Sequence, residues 1–222
     1  MTRRTEAPRS AASRAALASL LAIGLLAPAV SRAEGIPEHR WELGANAGYG
    51  WTFSREVVFN NTGGVVDVKD GAHWGGTIDT YVQDGKAVRL LYQRQESKLT
   101  YQPRGLPKFD VADVAVEYFQ LGGLAGTPKG NILPYGMFTL GATRLSYSNI
   151  DADDNWRFSM ILGFGAKAYV SPKLGVQVEG QIPYTWIDAD GSVACGSFGC
   201  ISTVGGTGVG QANVGGGLFL NF

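Results

Sequence analysis

Two long alternating segments that meet at a short turn, residues 156–170 and 174–186, constrain the fold of this chain most. Successive side chains of an extended strand point to opposite faces. One face of the first segment is continuously apolar from Trp156 to Val170, and the other holds mainly glycine, serine and single charges. The second segment repeats this alternation after the turn at residues 171–173. The pattern predicts a β-hairpin with two long arms.

The composition of the two faces indicates which of them meets solvent. The outer face of a soluble sheet would be dense in Lys, Glu and Thr, whereas this polar face is mostly Gly, Ser and Gln around isolated charges. Small residues with a few pairable charges suit the packed lumen of a narrow barrel. The apolar face ends in Trp156, Tyr184 and Trp186, as a lipid-facing band edged by interfacial aromatic residues does. The arms exceed the roughly 9 to 11 residues that span a bilayer, so their ends are expected to project from it.

The first 33 residues have the composition of an export signal. Four arginines lie among residues 3–14, and an apolar run occupies residues 15–26. Ser31-Arg32-Ala33 resembles the small-residue site at which a signal peptide is cleaved. A membrane anchor is the weaker alternative, because the apolar run is shorter than the roughly 20 residues that a spanning helix needs. The sequence therefore predicts a signal peptide at residues 1–33 and a barrel domain at residues 34–222.

The charge of the predicted mature chain argues against nucleic acid as a partner. Residues 34–222 contain 14 basic and 18 acidic residues, a net charge of about −4. Such a chain lacks the positive surface that binds phosphate backbones. We also expect no cofactor, since the glycine-rich residues 205–217 lack the pattern of a phosphate-binding loop.

The two cysteines, Cys195 and Cys200, lie five residues apart near the end of the chain. In an oxidising compartment such a pair is expected to form one small disulfide that fixes a loop. We expect no metal site, because two thiols are too few and both histidines are distant in sequence. The D-x-D-x-N run at residues 151–155 lacks the later Gly and Glu of a calcium loop.

Alternating segments along the chain predict eight strands. They cover residues 40–53, 72–83, 87–101, 109–124, 133–147, 156–170, 174–186 and 211–222. The connections after the odd-numbered strands are longer, and those after the even-numbered strands are short turns. This layout predicts an all-β fold, an eight-stranded antiparallel up-and-down transmembrane β-barrel with both termini at the end of the short turns. In the fourth and fifth strands, Glu117 and Arg144 are taken to mark the inner face.

The chain resembles the small eight-stranded outer-membrane barrels, such as the OmpA transmembrane domain and the OmpW-like proteins. The resemblance rests on the signal segment, Pro134-Tyr135-Gly136, the segment at residues 163–167, and the terminal Phe222. It implies a location in the bacterial outer membrane, and it implies that Phe222 is a signal read by the barrel-assembly machinery. The family includes structural barrels, adhesins, small channels and enzymes, so the resemblance does not define an activity.

Charged residues on the predicted inner face form a candidate lumen network. Its members are Glu42, Asp79, Arg89, Glu117, Arg144, Arg157, Lys167 and Glu179. Charges in a narrow lumen are costly unless they are paired, so interior salt bridges are expected. The alternative is a gated polar path for a small solute.

Aromatic residues at the predicted strand ends form a candidate girdle. Its members are Trp41, Trp51, Trp74, Trp156, Tyr184 and Trp186. We expect these residues to lie at the membrane surfaces. The expected membrane partners are outer-membrane lipid and lipopolysaccharide, besides the assembly machinery, and the protein is expected to be a monomer.

The expected function is a structural or surface role for a barrel whose lumen is filled by side chains. The alternatives are a narrow passive channel for small, including apolar, solutes and a lipid-modifying enzyme. For the enzyme, His73 near a strand end is a candidate residue, but no serine lies in a Gly-x-Ser-x-Gly motif. We therefore expect no enzymatic activity.

Overall fold

The computed structural model describes residues 41–52, 55–59, 62–103, 105, 107–148, 154–186, 192–196, 199–203 and 208–222. The predicted signal peptide lies outside the described residues and stays a prediction. The described residues form twelve strands: β1 (Trp41–Thr52), β2 (Arg55–Phe59), β3 (Thr62–Val68), β4 (Gly71–Gln83), β5 (Lys86–Pro103), β6 (Phe109–Gly126), β7 (Ile132–Tyr147), β8 (Asn155–Tyr169), β9 (Leu174–Trp186), β10 (Ser192–Gly196), β11 (Gly199–Thr203) and β12 (Gly208–Asn221).

Eight of these strands close a barrel. Their order is β5-β4-β1-β12-β9-β8-β7-β6, and β6 pairs with β5 to complete the ring. All the pairings are antiparallel, and consecutive barrel strands are neighbours. The predicted eight-stranded up-and-down barrel is therefore confirmed. Closure gives every barrel strand a partner on both sides, which satisfies the backbone hydrogen bonds that lipid cannot satisfy.

The other four strands extend the sheet beyond the barrel. Their order is β10-β11-β2-β3, and β3 pairs with residues 99–103 of β5. Both regions were predicted to be connections without strands, at residues 54–71 and 187–210, and that prediction was wrong. Glycines and polar residues interrupt these segments, so each strand is too short for its alternation to be recognised. The extension adds a four-stranded sheet to one end of the molecule.

The two ends of the barrel differ in their connections. At the turn end, β4–β5, β6–β7 and β8–β9 are joined by short turns, and Trp41 and Phe222 exchange two backbone hydrogen bonds of 3.3 and 2.9 Å. Gly85 in the first of these turns has a φ of 70°, which glycine adopts without the strain that a Cβ would cause. The opposite end, called the loop end below, carries the longer connections and the sheet extension.

The outside of the barrel is apolar and the inside is largely polar. Phe164, Val178 and Leu218 are 68%, 62% and 57% exposed, whereas Arg89, Lys167 and Asp79 are fully buried. A soluble protein has the opposite distribution. The predicted outward and inward faces of β1, β4, β8, β9 and β12 agree with this arrangement. No helix within the described residues is long and apolar enough to cross a membrane.

The faces of β6 and β7 are the reverse of those predicted. Tyr118 and Gln120 of β6 are buried inside the barrel, while Phe119 and Leu121 are exposed outside. On β7, Tyr135 and the alternate residues that follow it face inward. The prediction assumed that charge marks the lumen. Near the loop end, however, the strands project beyond lipid, and there a charged residue is stable on the outer face.

Aromatic and apolar side chains line the lumen at the turn end. Tyr169 packs against Phe219 with the two ring centroids 5.1 Å apart, and Leu133 and Leu124 are 0% and 3% exposed. Gly175 faces the Phe219 ring so closely that any Cβ at this position would collide with it. The lumen therefore has an apolar layer at the turn end and polar layers toward the loop end.

Candidate functional site

An ionic cluster occupies the middle of the lumen, next to the apolar layer. It consists of Glu42, Asp79, Arg89, Lys167 and Glu179, is called the inner ionic cluster below, and has no member more than 8% exposed. These residues come from five different strands, β1, β4, β5, β8 and β9. Because each inward side chain reaches across a narrow barrel, oppositely charged groups from non-adjacent strands meet at its axis.

Arg89 connects two carboxylates. Its Nε and Nη2 donate hydrogen bonds of 2.7 and 2.9 Å to the two oxygens of Asp79. Its Nη1 donates to Glu179 Oε2 at 2.5 Å and contacts the Met137 sulfur at 3.1 Å. The planar guanidinium thus makes a two-bond contact with the neighbouring strand and a single bond across the lumen, which a lysine could not reproduce.

Lys167 connects two carboxylates on the other side of the cluster. Its Nζ donates to Glu42 Oε2, to Asp79 Oδ2 at 2.5 Å and to the Tyr81 hydroxyl at 3.3 Å. The Tyr169 hydroxyl donates to the second oxygen of Glu42 at 2.9 Å. Asp79 therefore receives bonds from both cations, and the cluster is a single connected network.

Glu179 forms the loop-end boundary of this network. Its Oε2 accepts a hydrogen bond from the Tyr135 hydroxyl at 2.5 Å as well as from Arg89, and its Oε1 accepts one from Gln181 Nε2 at 2.5 Å. Every member of the cluster is thus held by charged or polar neighbours, as buried ions require. Chemically, the arrangement can hold strands together and close the lumen.

A layer of carboxamides lies between this cluster and the loop end. Asn46, Gln177, Gln181 and Asn213 surround a small cavity together with His73 and Glu179. Several of their polar atoms have no hydrogen-bond partner in the structure, among them Asn46 Oδ1, Gln181 Oε1 and His73 Nδ1. His73 is therefore a buried residue of the lumen. A lipid-modifying enzyme site would require it to lie at the lipid interface, and it does not lie there.

Neutral hydrogen bonds cross the lumen nearer the loop end. Gln120 Nε2 donates to Ser159 Oγ at 2.7 Å, and the hydroxyl oxygens of Thr143 and Thr185 are 3.0 Å apart. Tyr118 donates to Gln211 at 2.8 Å, and Gln211 in turn donates to Thr52 at 3.1 Å. Polar side chains from non-adjacent strands thus meet at several levels of the lumen.

A second ionic cluster lies outside the barrel at the loop end. It contains Arg94, Glu117, Arg144 and Asp154, and is called the outer ionic cluster below. Glu117 accepts bonds from Arg94 at 3.2 Å, from Arg144 at 3.4 Å and from the Tyr92 hydroxyl at 2.8 Å. Arg144 also donates twice to Asp154 Oδ2, at 3.0 and 2.5 Å. The hydrogen bond from Arg144 lowers the pKa of Asp154, and one from Ser146 adds to this effect.

The structure brings five of the eight predicted network residues together and separates the other three. Glu117 and Arg144 belong to the outer ionic cluster, so their placement in the lumen was wrong. Arg157 and Lys167 are on the inner face of the same strand, but ten residues, or roughly 33 Å of strand, lie between them. The tyrosines of the network, Tyr135 and Tyr169, were not predicted from the sequence.

The predicted aromatic girdle is found on the outer surface. Trp41 lies at the turn end and is 59% exposed, whereas Trp51, Trp74, Trp156 and Trp186 lie toward the loop end. Tyr184 packs on Trp186 with ring centroids 4.8 Å apart. Phe119 also belongs to this outer aromatic surface, although it was not predicted there: its ring centroid lies 5.1 Å from that of Tyr92 and 5.5 Å from that of Trp156.

The disulfide between Cys195 and Cys200 stays a prediction. The backbones of β10 and β11 place these two residues directly opposite each other. Opposed residues of an antiparallel pair have Cα atoms about 4.5 to 5.5 Å apart, a separation that a disulfide spans. Among the described residues, no group of three or more His, Cys, Asp or Glu side chains is arranged to hold a metal ion.

Comparison with known proteins supports the architecture. The family model described as "Outer membrane protein beta-barrel domain" matches residues 15–220. The chain is similar to the crystal structure of Neisserial surface protein A, with 12% identity, a TM-score of 0.52 and coverage of 85% of this chain and 100% of the other. It is also similar to OprG from Pseudomonas aeruginosa, with 13% identity, a TM-score of 0.51 and coverage of 83% and 97%. At these identities the likeness concerns the fold alone. No curated protein matches the sequence significantly.

Proposed function

This chain belongs to the family of outer-membrane β-barrel proteins and is located in the outer membrane, and from that premise we propose that it is a structural or surface barrel whose lumen is closed by its own side chains. The inner ionic cluster carries the proposal. Arg89 and Lys167 reach carboxylates on other strands, and their side chains are 0% exposed. An ion or solute would have to separate these pairs in order to pass.

Conductance in planar lipid bilayers tests whether the lumen is closed. We expect the purified wild-type protein to give no discrete openings, because the paired side chains fill the path. A double variant, R89S/E179S, removes one cation and one anion and is expected to conduct, since two long side chains become short. The matched control is R94S/E117S, which removes an arginine–glutamate pair from the outer surface and should stay silent.

Reproducible openings of the wild-type protein would contradict the closed lumen and support the alternative, a narrow passive channel. Equal conductance of the two double variants would contradict the assignment of the closure to the inner ionic cluster. Folding of each variant is checked by its mobility shift on unheated gels, so that an unfolded variant is not mistaken for a silent one.

A surface role is supported by the sheet extension at the loop end. Long loops of outer-membrane barrels face the exterior of the cell, and here two of them form strands β2, β3, β10 and β11. Paired strands present a more rigid surface than flexible loops do. Deleting residues 55–68 should leave the barrel folded while removing surface binding, which whole-cell adhesion measurements would detect.

Contacts with lipopolysaccharide are proposed for the outer ionic cluster. Arg94 and Arg144 have side chains 33% and 36% exposed, and they lie directly beside Trp74 and Trp156 on the neighbouring strands. Guanidinium groups at that level match the phosphate groups of the outer leaflet. Lipopolysaccharide should therefore protect wild-type Arg94 and Arg144 from a guanidinium-modifying reagent, and phosphate-free lipid should not.

Phe222 is proposed as the contact with the barrel-assembly machinery. It is 75% exposed on the outer face, where an assembly protein can reach it. We expect F222S to reduce the fraction of barrel inserted in cells but not the fraction that refolds spontaneously in detergent. An equal loss in both settings would instead indicate a role in stability.

The protein is proposed to have no enzymatic activity and to be a monomer. His73 is 5% exposed inside the lumen and shares its cavity with carboxamides, a setting that a lipid substrate cannot reach. Incubation with lipopolysaccharide should leave lipid A unchanged by mass spectrometry, and any new product would contradict the proposal. A single species of monomer mass in light scattering, after correction for detergent, tests the oligomeric state.

A further inference from the structure

The cavity on the loop side of the inner ionic cluster has room for one small occupant. Its volume is about 10 Å³, close to the smallest space that holds a single water molecule. Glu179 lies where the cluster meets this cavity, and the other polar residues around it are carboxamides and His73. The cavity is thus lined by polar side chains and by Gly215 and Gly216 inside a membrane barrel.

Several residues around this cavity have oxygen atoms without donors. Asn46 Oδ1 and Gln181 Oε1 have no hydrogen-bond partner, whereas Gln181 Nε2 is already used as a donor to Glu179. Gln177 and Asn213 leave both amide atoms unpartnered, so either side chain can turn its oxygen inward. Gln177, Asn213 and Gln181 are only 2%, 4% and 5% exposed. Buried polar groups in native proteins normally have partners, so these side chains indicate an occupant.

The charge of the wall is negative. Arg89 is the cation that pairs with Glu179. It donates two hydrogen bonds to Asp79 and only one to Glu179. In the inner ionic cluster as a whole, the two cations Arg89 and Lys167 serve three carboxylates. A positive charge on the other side of Glu179 would lower the cost of keeping this carboxylate ionised within the barrel.

A cation fits this wall better than a water molecule does. A water molecule donates only two hydrogens, but the wall contains two amide oxygens without donors, a carboxylate and two amides that can add further oxygens. A desolvated hard cation is coordinated by several protein oxygens at once. A divalent ion would carry more charge than one shared carboxylate offsets. We propose that the cavity binds one monovalent cation, Na⁺ or K⁺, through Glu179 and the amide oxygens of Asn46, Gln177, Gln181 and Asn213.

This site goes beyond the proposed closure of the lumen and does not depend on it. A barrel that conducts could still retain a cation beside Glu179, and a silent barrel could hold only water. Conductance in bilayers therefore tests the closed lumen, and the effect of cations on unfolding tests the cation site.

Unfolding in different salts tests the proposal. The full-length barrel in neutral detergent is unfolded with urea in increasing NaCl, KCl or choline chloride at matched ionic strength, where choline is too large for the cavity. We expect NaCl or KCl to raise the folded-to-unfolded ratio in a saturable way, by about 100-fold at a hundred times the dissociation constant. Equal stability in all three salts would overturn the proposal, and so would stabilisation by MgCl₂ alone.

Two variants locate the effect. Q181L and N213L remove oxygens from the cavity and should abolish the difference between NaCl or KCl and choline chloride. The matched control is Q93L, because Gln93 is 1% exposed and has both amide atoms unpartnered, yet it does not line the cavity. Q93L should keep the full cation effect, and its loss in Q93L would overturn the assigned location.

Anomalous diffraction from crystals soaked in Rb⁺ or Tl⁺ provides a direct readout. A peak between Glu179 and Asn213 supports the site, and the lack of a peak there overturns it. If protonated His73 supplied the positive charge instead, stability would rise as the pH falls and would be the same in all three salts, which would also overturn the proposal.

Discussion

The inner and outer ionic clusters contain the same chemical groups in opposite surroundings. In the inner cluster Arg89 is fully buried and bonds to two carboxylates that are themselves almost fully buried. In the outer cluster Arg144 also bonds to two carboxylates, but its side chain is 36% exposed and that of Asp154 is 38% exposed. The two arginines have comparable contacts and differ mainly in access to solvent.

This difference shows that the contacts of an ion pair do not by themselves determine how much the pair stabilises the protein. An exposed pair gains little, because water and salt screen the charges and the side chains lose freedom. A buried pair has already lost its hydration, so removing one partner leaves an uncompensated charge in a medium of low dielectric constant. We therefore expect the loss of a charge from the inner cluster to cost more stability than the loss of an exposed charge from the outer cluster.

The largest expected effect is that of R89M. Removing this guanidinium leaves Asp79 and Glu179 with fewer positive partners inside the lumen, and the free energy of unfolding is expected to fall by about 3 to 5 kcal/mol. R144M is the matched control and should lose only a small part of that amount. Urea titration of both variants in the same detergent, followed by tryptophan fluorescence, measures the difference. Equal losses would show that burial does not distinguish the two clusters.

Glu117 makes the comparison sharper, because it is a buried carboxylate within the outer cluster. Its side chain is 7% exposed, and it accepts bonds from Tyr92, Arg94 and Arg144. We expect E117Q to lower the free energy of unfolding by about 1.5 to 3 kcal/mol, the range for losing hydrogen bonds to a charged group. E96Q serves as control, since the Glu96 side chain is 74% exposed with one contact to Arg94 at 3.3 Å. A loss in E96Q as large as that in E117Q would contradict the role of burial.

Salt should weaken the ion pairs of the outer cluster and should not change the interactions within the inner cluster. The coupling between Arg144 and Asp154, measured by a double-mutant cycle, should fall toward zero as choline chloride increases, because the screening length drops from about 10 Å at 0.1 M to about 3 Å at 1 M. The coupling between Tyr135 and Glu179 inside the lumen should stay constant over the same range. A parallel decrease of both couplings would mean that salt solution reaches the inner cluster.

The sequence alone predicted the barrel and the inner face of most strands. On β8 and β9 apolar and polar residues alternate without interruption, and Lys167 and Glu179 were therefore placed in the lumen. The faces of β6 and β7 could not be assigned in this way. Both faces of β6 contain apolar residues near the lipid, and the charged Glu117 lies where the strand leaves the membrane, so charge no longer marks the inside.

Which charged side chains pair within the lumen could also not be predicted from the sequence. Arg89 and Glu179 are 90 residues apart, and their meeting depends on how the closed barrel offsets its strands. Alternation gives the face of a residue but not its height in the barrel. For the same reason Arg157 was grouped with Lys167, although they lie near opposite ends of β8. The carboxamides around the cavity were not singled out from the sequence.

The smallest expected effect concerns the pH dependence of the outer cluster. Arg144 lowers the pKa of Asp154 by hydrogen bonding, with a further contribution from Ser146, so the folded state favours the ionised carboxylate. The resulting stabilisation is present above the ordinary aspartate pKa of about 3.9 and is lost as the pH falls from there through the lowered pKa of the folded protein. In R144M the pKa of Asp154 should rise partway toward its ordinary value, because Ser146 remains. Carboxyl NMR titration measures this change, with R94M as the control that keeps the Arg144 contact. An unchanged Asp154 pKa in R144M would mean that solvent already screens the outer pair completely.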